Sequence, residues 1–180
     1  MIMNELNEDF INLYKRWKGG KVRKEDKIDK EAVLRFIGKY NLDEDKVTIH
    51  ETCADFDMDV IIDDINDLTF KFGNVSGYFD ASYINLKDLK FIPKYVGGDF
   101  SIAGNWLESF DGCPEEVGGN FIAIGSGHNL ESLKGLPKHI GGYLYITVTG
   151  EPDKFTEDDI PEDTVIDGNI KLSIRGKDEM

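Results

Sequence analysis

The chain has 180 residues, of which 40% are hydrophobic, with 21 Lys and Arg against 35 Asp and Glu for a net charge of -14. That length supports one domain whose core needs neither disulfide nor metal, and no apolar run reaches the roughly 20 residues of a membrane-spanning helix. The acidic excess discourages nonspecific nucleic-acid contact and favours cationic partners, and the opening "MIMNELNEDFINLYKRW" carries acids where a secretory signal needs basic and unbroken apolar segments, so a cytoplasmic protein is expected.

Residues 1–50 predict a helical cap. Leu6, Phe10, Leu13, Tyr14 and Trp17 recur at helical spacing, and Val33, Phe36, Ile37 and Tyr40 do so again after Asp29, whose carboxylate suits an N-cap. Between them, Lys15 to Lys30 holds eight basic residues against three acids. This stretch is read as a solvated helix end and loop rather than a nucleic-acid footprint, because the rest of the chain is acidic. Residues 51–67 follow with seven acids and no base. Their "DFDMDVIIDDIND" lacks the glycine at loop position six and the closing glutamate of an EF-hand, so Asp57 and Asp59, on alternate positions of a strand, predict an exposed charged edge.

From residue 67 onward the chain repeats itself. A shift of 21 positions lays "DLTFKFGNVSG" on "DLKFIPKYVGG" and brings Leu68, Leu89 and Phe110 into one column, joined by Leu133 after a two-residue insertion. Val75, Val96, Val117 and Ile140 form a second column, and Pro93, Pro114 and Pro137 a third. A unit this short cannot bury its own apolar face, so neighbours must stack into a solenoid. Phe79 and Ala81, Phe100 and Ile102, Phe121 and Ala123, and Leu144 and Ile146 alternate at period two, which predicts one short strand per unit near 78–82, 99–103, 120–124 and 143–147. "FSIAGNWL" fits the leucine-rich-repeat pattern L-x-L-x-x-N-x-L, in which the Asn bonds backbone at the bend after the strand; Ile84 and His128 replace it in adjacent units. The second half, with Pro and paired Gly, predicts a turn-rich or 3-10 return, and the Gly-Gly pairs read as turn glycines because no Lys-Ser/Thr follows them.

The units "LESFDGCPEEVGGNF" and "LESLKGLPKHIGGYL" resemble the leucine-rich-repeat-like proteins of bacterial viruses, whose copies read L-x-S-L-x-G-x-P-x-x-V-G-G-x-F, over about Phe56 to Ile146. The resemblance implies a phage-encoded, noncatalytic interaction scaffold. The fold expected is α+β: a short leucine-rich-repeat-like solenoid over 51–176, with an N-terminal helical cap at 1–50, an acidic linker at 151–167 and a closing strand at 168–176, where Ile170, Leu172 and Ile174 alternate.

Strand parity then assigns outward ladders. The first is Asp57, Tyr78, Asp99, Asn120 and Tyr143; the second is Asp59, Asp80, Ser101, Ile122 and Tyr145; the third is Ile61, Ser82, Ala103, Ile124 and Thr147. Tyr78, Ile122, Ile124, Tyr143 and Tyr145 become the candidate partner-binding residues, unless segment 151–167 folds over them. The expected partner is a host protein, bound by a monomer on its strand face with inhibition of a host defence as the outcome, and with no nucleic acid or membrane contacted directly. An alternative is an acidic nucleic-acid mimic that blocks a host DNA- or RNA-binding protein such as a restriction or CRISPR effector, using Asp57, Asp59, Asp80, Asp158 and Asp159. A third is a carbohydrate-active enzyme with a carboxylate pair from Asp57, Asp59, Asp80 or Asp99. No catalytic, cofactor or metal residue is assigned. His50, His128 and His139 lack i, i+4 pairing, and Cys53 and Cys113 read as free thiols because neither has a second ligand at metal spacing.

Overall fold

A computed structural model of the chain describes residues 27–126, 129–151 and 154–172. It is a parallel-strand β-solenoid built on the 21-residue repeat, with little helix. One seven-stranded sheet takes β1 (Val47–Ile49), β2 (Ala54–Phe56), β4 (Phe72–Val75), β6 (Tyr95–Val96), β8 (Glu116–Val117), β10 (His139–Ile140) and β12 (Val165–Ile166) in that order. A six-stranded sheet takes β3 (Val60–Ile61), β5 (Phe79–Asp80), β7 (Phe100–Ser101), β9 (Phe121–Ser126), β11 (Leu144–Val148) and β13 (Ile170–Lys171). Each coil from β2 onward gives one strand to each sheet, and all pairings are parallel except the β1–β2 hairpin.

The core lies between the two sheets and is made of columns at the repeat spacing. Phe79, Phe100, Phe121 and Leu144 are in register and fully buried, with ring centroids 6.0 Å and 5.5 Å apart along the three phenylalanines. Val75, Val96, Val117 and Ile140 line the opposite sheet, also fully buried, while Leu89, Phe110 and Leu133 close the return side. Asn105, itself buried, donates to the Ala81 and Ile102 carbonyls at 2.8 and 2.9 Å and accepts from the Leu86 N–H at 2.9 Å, so it holds the bend after β7 as its place in the pattern predicts. Ile84 fills the equivalent place one coil earlier and is buried; His128 lies outside the described residues.

Four features differ from the sequence reading, the first being that Ala103 and Thr147, expected on the third outward ladder, are buried, Thr147 where the register shifts between Ile146 and Val148. The half-repeat expected to be only a return carries a second strand, Glu116–Val117 in one unit, so each repeat has two strands rather than one. Two residues are too few to show alternation. The first coil is spaced 19 residues from the second, not 21: Val60 pairs with Phe79, which puts Asp59, not Asp57, beside Tyr78, and Ile61, not Asp59, beside Asp80. The paired glycines, finally, are not positive-φ turn residues; that conformation belongs to Gly104, Gly112, Gly125, Gly135 and Gly150. At the pairs the reason is space. A Cβ on Gly118 would stand 2.3 Å from the Gly97 carbonyl oxygen, and one on Gly141 would stand 2.4 Å from that of Gly118.

Before β1, α1 (Lys30–Tyr40) begins at Asp29, whose carboxylate accepts the N–H groups of Glu31 and Ala32, and ends at Asn41 in the left-handed region. Its Phe36 lies edge-on to Phe56, Phe70 and Phe72 at 5.4–5.8 Å, joining the helix to the first two coils. Leu6, Phe10, Leu13, Tyr14 and Trp17, expected to form an earlier helix, lie outside the described residues, as do most of the basic stretch and Ile174; Lys27 pairs with Glu51 at 3.8 Å.

Two substitutions separate packing from propensity. Gly118→Ala is expected to destabilise the chain by more than about 2 kcal/mol, since backbone must move to admit the methyl, whereas Gly38→Ala on the exposed helix face, with nothing within 4 Å, is expected to stabilise by about 0.5–1 kcal/mol. Phe100→Ala should cost about 3–5 kcal/mol. Urea unfolding of the three variants checks the order.

Candidate interaction face

The outer face of the six-stranded sheet begins at the Gly-Gly corner. At three corners the N–H of the first residue past the corner is bonded by a side chain of the preceding coil. Asp59 accepts from Tyr78 N–H at 3.0 Å, Asp99 from Asn120 N–H at 2.7 Å, and Asn120 from Tyr143 N–H at 2.8 Å. Carboxylates read as an exposed edge are therefore brackets between coils. Asp57 accepts from the Ser76 hydroxyl at 2.7 Å and Asp80 from Ser82 N–H at 2.9 Å. Asp159 caps the Glu157–Asp159 turn by accepting from Thr156 N–H at 2.9 Å. Asp158, on the same turn, is exposed. The five acids of the alternative surface fall into two groups: Asp57, Asp59 and Asp80 beside β3 and β5, and Asp158 and Asp159 between β11 and β12, about 20 Å away at the usual strand spacing.

The apolar candidates come together at the other end of the same sheet. Tyr145 pairs with Ile122 across β11 and β9, and the Tyr143 and Tyr145 rings meet edge-on at 5.8 Å. Tyr143 is 42% exposed and Ile124 44%, while Ile122 and Tyr145 are half-buried. Tyr78 is exposed but belongs to an earlier coil, two strands from β9. The segment after β11 does not leave the coil path. It runs as the return toward β12, with Phe155 and Ile160 packed against the core, and Val165 N–H bonds Lys138 O at 2.8 Å.

Two exposed aromatics carried no signal in the sequence reading. Tyr83 is 76% exposed, with φ +60° and its ring across Gly104. Its column continues with Gly104 and Gly125 at φ +64° and +67°, so the bend wants a left-handed residue, and Tyr there costs about 1–2 kcal/mol. Trp106 is 46% exposed and donates from its indole nitrogen to Asn85 at 3.3 Å. A parity rule misses both because they stand in the bend after the strand. With Ile61, Tyr78, Ile124 and Tyr143 they put six of the ten exposed large hydrophobics of the described residues on this sheet or in the bends that leave it, against Tyr95 and Val165 on the other sheet. Beside Tyr83 a shallow groove of about 510 Å³ is lined by Ile61, Asp80, Ser82, Ser101 and Ala103.

The acid-rich first coil also anchors α1. Lys39 bonds Asp67 and lies 3.6 Å from Asp63 and 3.9 Å from Asp64, and the Tyr40 hydroxyl donates to Asp63 at 2.6 Å and also to Asp67. The bond to Asp67 pushes the Lys39 ammonium up, and burial with the two carboxylates pushes the Tyr40 hydroxyl up. The Tyr40 hydroxyl, with Lys39 beside it, holds the Asp63 carboxyl below the usual carboxylate range.

Elsewhere, His50 pairs with Asp55 at 2.8 Å and His139 with Asp167 at 3.0 Å. Burial, with Asp55 nearby, pushes the Cys53 thiol up to about 11, and burial followed by Asp111 raises Cys113 well above its ordinary value, so both stay protonated near neutral pH. Among the described residues no three His, Cys, Asp or Glu stand together in a way that could hold a metal ion, and no helix is long and apolar enough to cross a membrane. Comparison with known proteins found no matching family model, curated protein or solved structure.

A carboxylate whose folded pKa is depressed contributes stability above its unfolded value of about 3.9 and loses it as pH falls through the folded one. Tyr40→Phe is therefore expected to be less stable than the natural chain at pH 6, with the gap closing only as pH falls below about 3.9 and through the folded value of Asp63. Urea denaturation at pH values on either side of that range measures the difference.

Proposed function

We propose that the chain is a noncatalytic scaffold that binds a partner protein through the outer face of its six-stranded sheet, centred on Tyr143, Tyr145, Ile122 and Ile124. The observation that carries this reading is the contiguous, solvent-reached aromatic and aliphatic patch on adjacent rungs β9 and β11. Solvent gives such side chains no reason to be there, and Tyr combines large contact area with a polar tip at low entropic cost. A rigid solenoid also pre-organises the patch, because its backbone is fixed by coil-to-coil hydrogen bonds before any partner arrives.

The phage-like wording of the repeats supports a host protein in the bacterial cytoplasm as the partner, with inhibition of that protein as the outcome. Against this, an acidic mimic would draw on carboxylates split between two ends of the solenoid, two of which, Asp57 and Asp59, already bracket coils, while Asp80 holds a turn within its own coil. The two readings respond differently to salt, since attraction between exposed charges is screened within about 10 Å at 0.1 M.

Affinity capture from a bacterial lysate, repeated with Tyr143→Ala/Tyr145→Ala and with Asp158→Asn/Asp159→Asn, separates them. The aromatic pair should weaken retention of the captured protein by about 2 kcal/mol or more with an unchanged melting temperature, while the acidic pair and 0.5 M salt have little effect. Retention that survives loss of both tyrosines but disappears with salt would reverse the assignment.

A further inference from the structure

The groove beside Tyr83 lies at the acidic end of the same sheet, apart from the Tyr143 and Tyr145 patch, and its lining combines three chemistries. Ile61, 51% exposed, and Ala103 are apolar. The Ser82 and Ser101 hydroxyls lie 2.8 Å apart and satisfy each other. Asp80 gives one carboxylate oxygen to Ser82 N–H, and no ion pair among the described residues uses it. Lys39, which flanks Asp63 at the groove margin, is taken by Asp63, Asp64 and Asp67. Tyr83 forms the wall; its ring lies over Gly104 and the rest of it is open to solvent. The adjoining segment 51–67 has seven acids and no base, so the site is complementary to positive charge.

We propose that this groove seats the side chain of one Lys or Arg from a basic segment of the partner. The aliphatic stem runs over Ile61 and Ala103, and the cationic head meets the open oxygen of Asp80 and the face of the Tyr83 ring, whose quadrupole attracts a cation. A partner spanning the sheet would then present a basic side chain at one end and an apolar surface at the other.

The test uses the full chain, labelled with nitrogen-15 and titrated at low salt with Nα-acetyl-arginine amide, with the citrulline counterpart as neutral isostere. Saturable shifts are expected at the Ser82, Tyr83 and Ala103 amides, with little response to citrulline. Asp80→Asn keeps the oxygen that accepts from Ser82 and should weaken binding about fivefold; Tyr83→Ala should weaken it about threefold, and Tyr143→Ala should leave it unchanged. An equal response to citrulline, shifts scattered over both sheets, or full binding by Asp80→Asn at an unaltered melting temperature would overturn the groove. The proposal rests on the strand face being the binding surface, and the probe is used without partner so that failures are distinguishable: lost arginine binding overturns the groove alone, whereas partner capture indifferent to Tyr143 and Tyr145 overturns the face.

Discussion

Everything in this solenoid depends on how closely one coil can approach the next at the corner between its two sheets. Parallel strands stack at about 4.8 Å, and here the backbone ladder continues around the bend: Gly97 N–H bonds Val75 O at 2.9 Å, Gly118 N–H bonds Val96 O at 2.8 Å, and Gly141 N–H bonds Val117 O at 2.8 Å. A side chain at that point would meet the carbonyl of the coil before it. The requirement relaxes at the ends of the stack. Asp57, Met58 and Asp59 occupy the first corner, next to the terminal strand of the six-stranded sheet, and Ser76 and Asp167 take first-glycine positions in the second and last corners. Acids can therefore collect at the first corner without disturbing the stack.

The same close approach explains why so many polar groups on this face are structural. With no room for side chains at the glycines, an acceptor for the next N–H along can come from the neighbouring coil, and at three corners Asp59, Asp99 and Asn120 provide it. What remains open to a partner, on the function proposed, is the set of side chains that neither fill the core nor bracket a corner. On the six-stranded sheet that set grades from Asp80, Ser82 and Tyr83 to Ile122, Ile124, Tyr143 and Tyr145.

Much of the fold was legible in the sequence because the core columns obey two simple periods. Phe79, Phe100 and Phe121 follow from alternation within a strand and a 21-residue step between coils, and Leu68, Leu89, Phe110 and Leu133 from the step alone. The second strand was not legible, since two residues such as Tyr95–Val96 show no period and sit among turn residues. The first coil was misregistered by two residues because the 21-residue step was carried back across a corner that has no glycine to mark its 19-residue spacing. At the candidate face, the aromatic patch followed from parity, whereas the bonds of Asp57 and Asp59 depend on the offset between coils, and Tyr83 and Trp106 stand in bends where parity does not apply.

The central claim is that one sheet recognises a partner and the other does not. Tyr95, 36% exposed on the seven-stranded sheet, gives an internal reference for Tyr143, 42% exposed on the six-stranded one. Hydroxyl-radical footprinting of the chain with and without its captured partner, read by mass spectrometry, compares the two in one sample. The account predicts that the partner suppresses oxidation of Tyr143 and Tyr145 and leaves Tyr95 unchanged; protection of Tyr95 with Tyr143 and Tyr145 still fully reactive would contradict it.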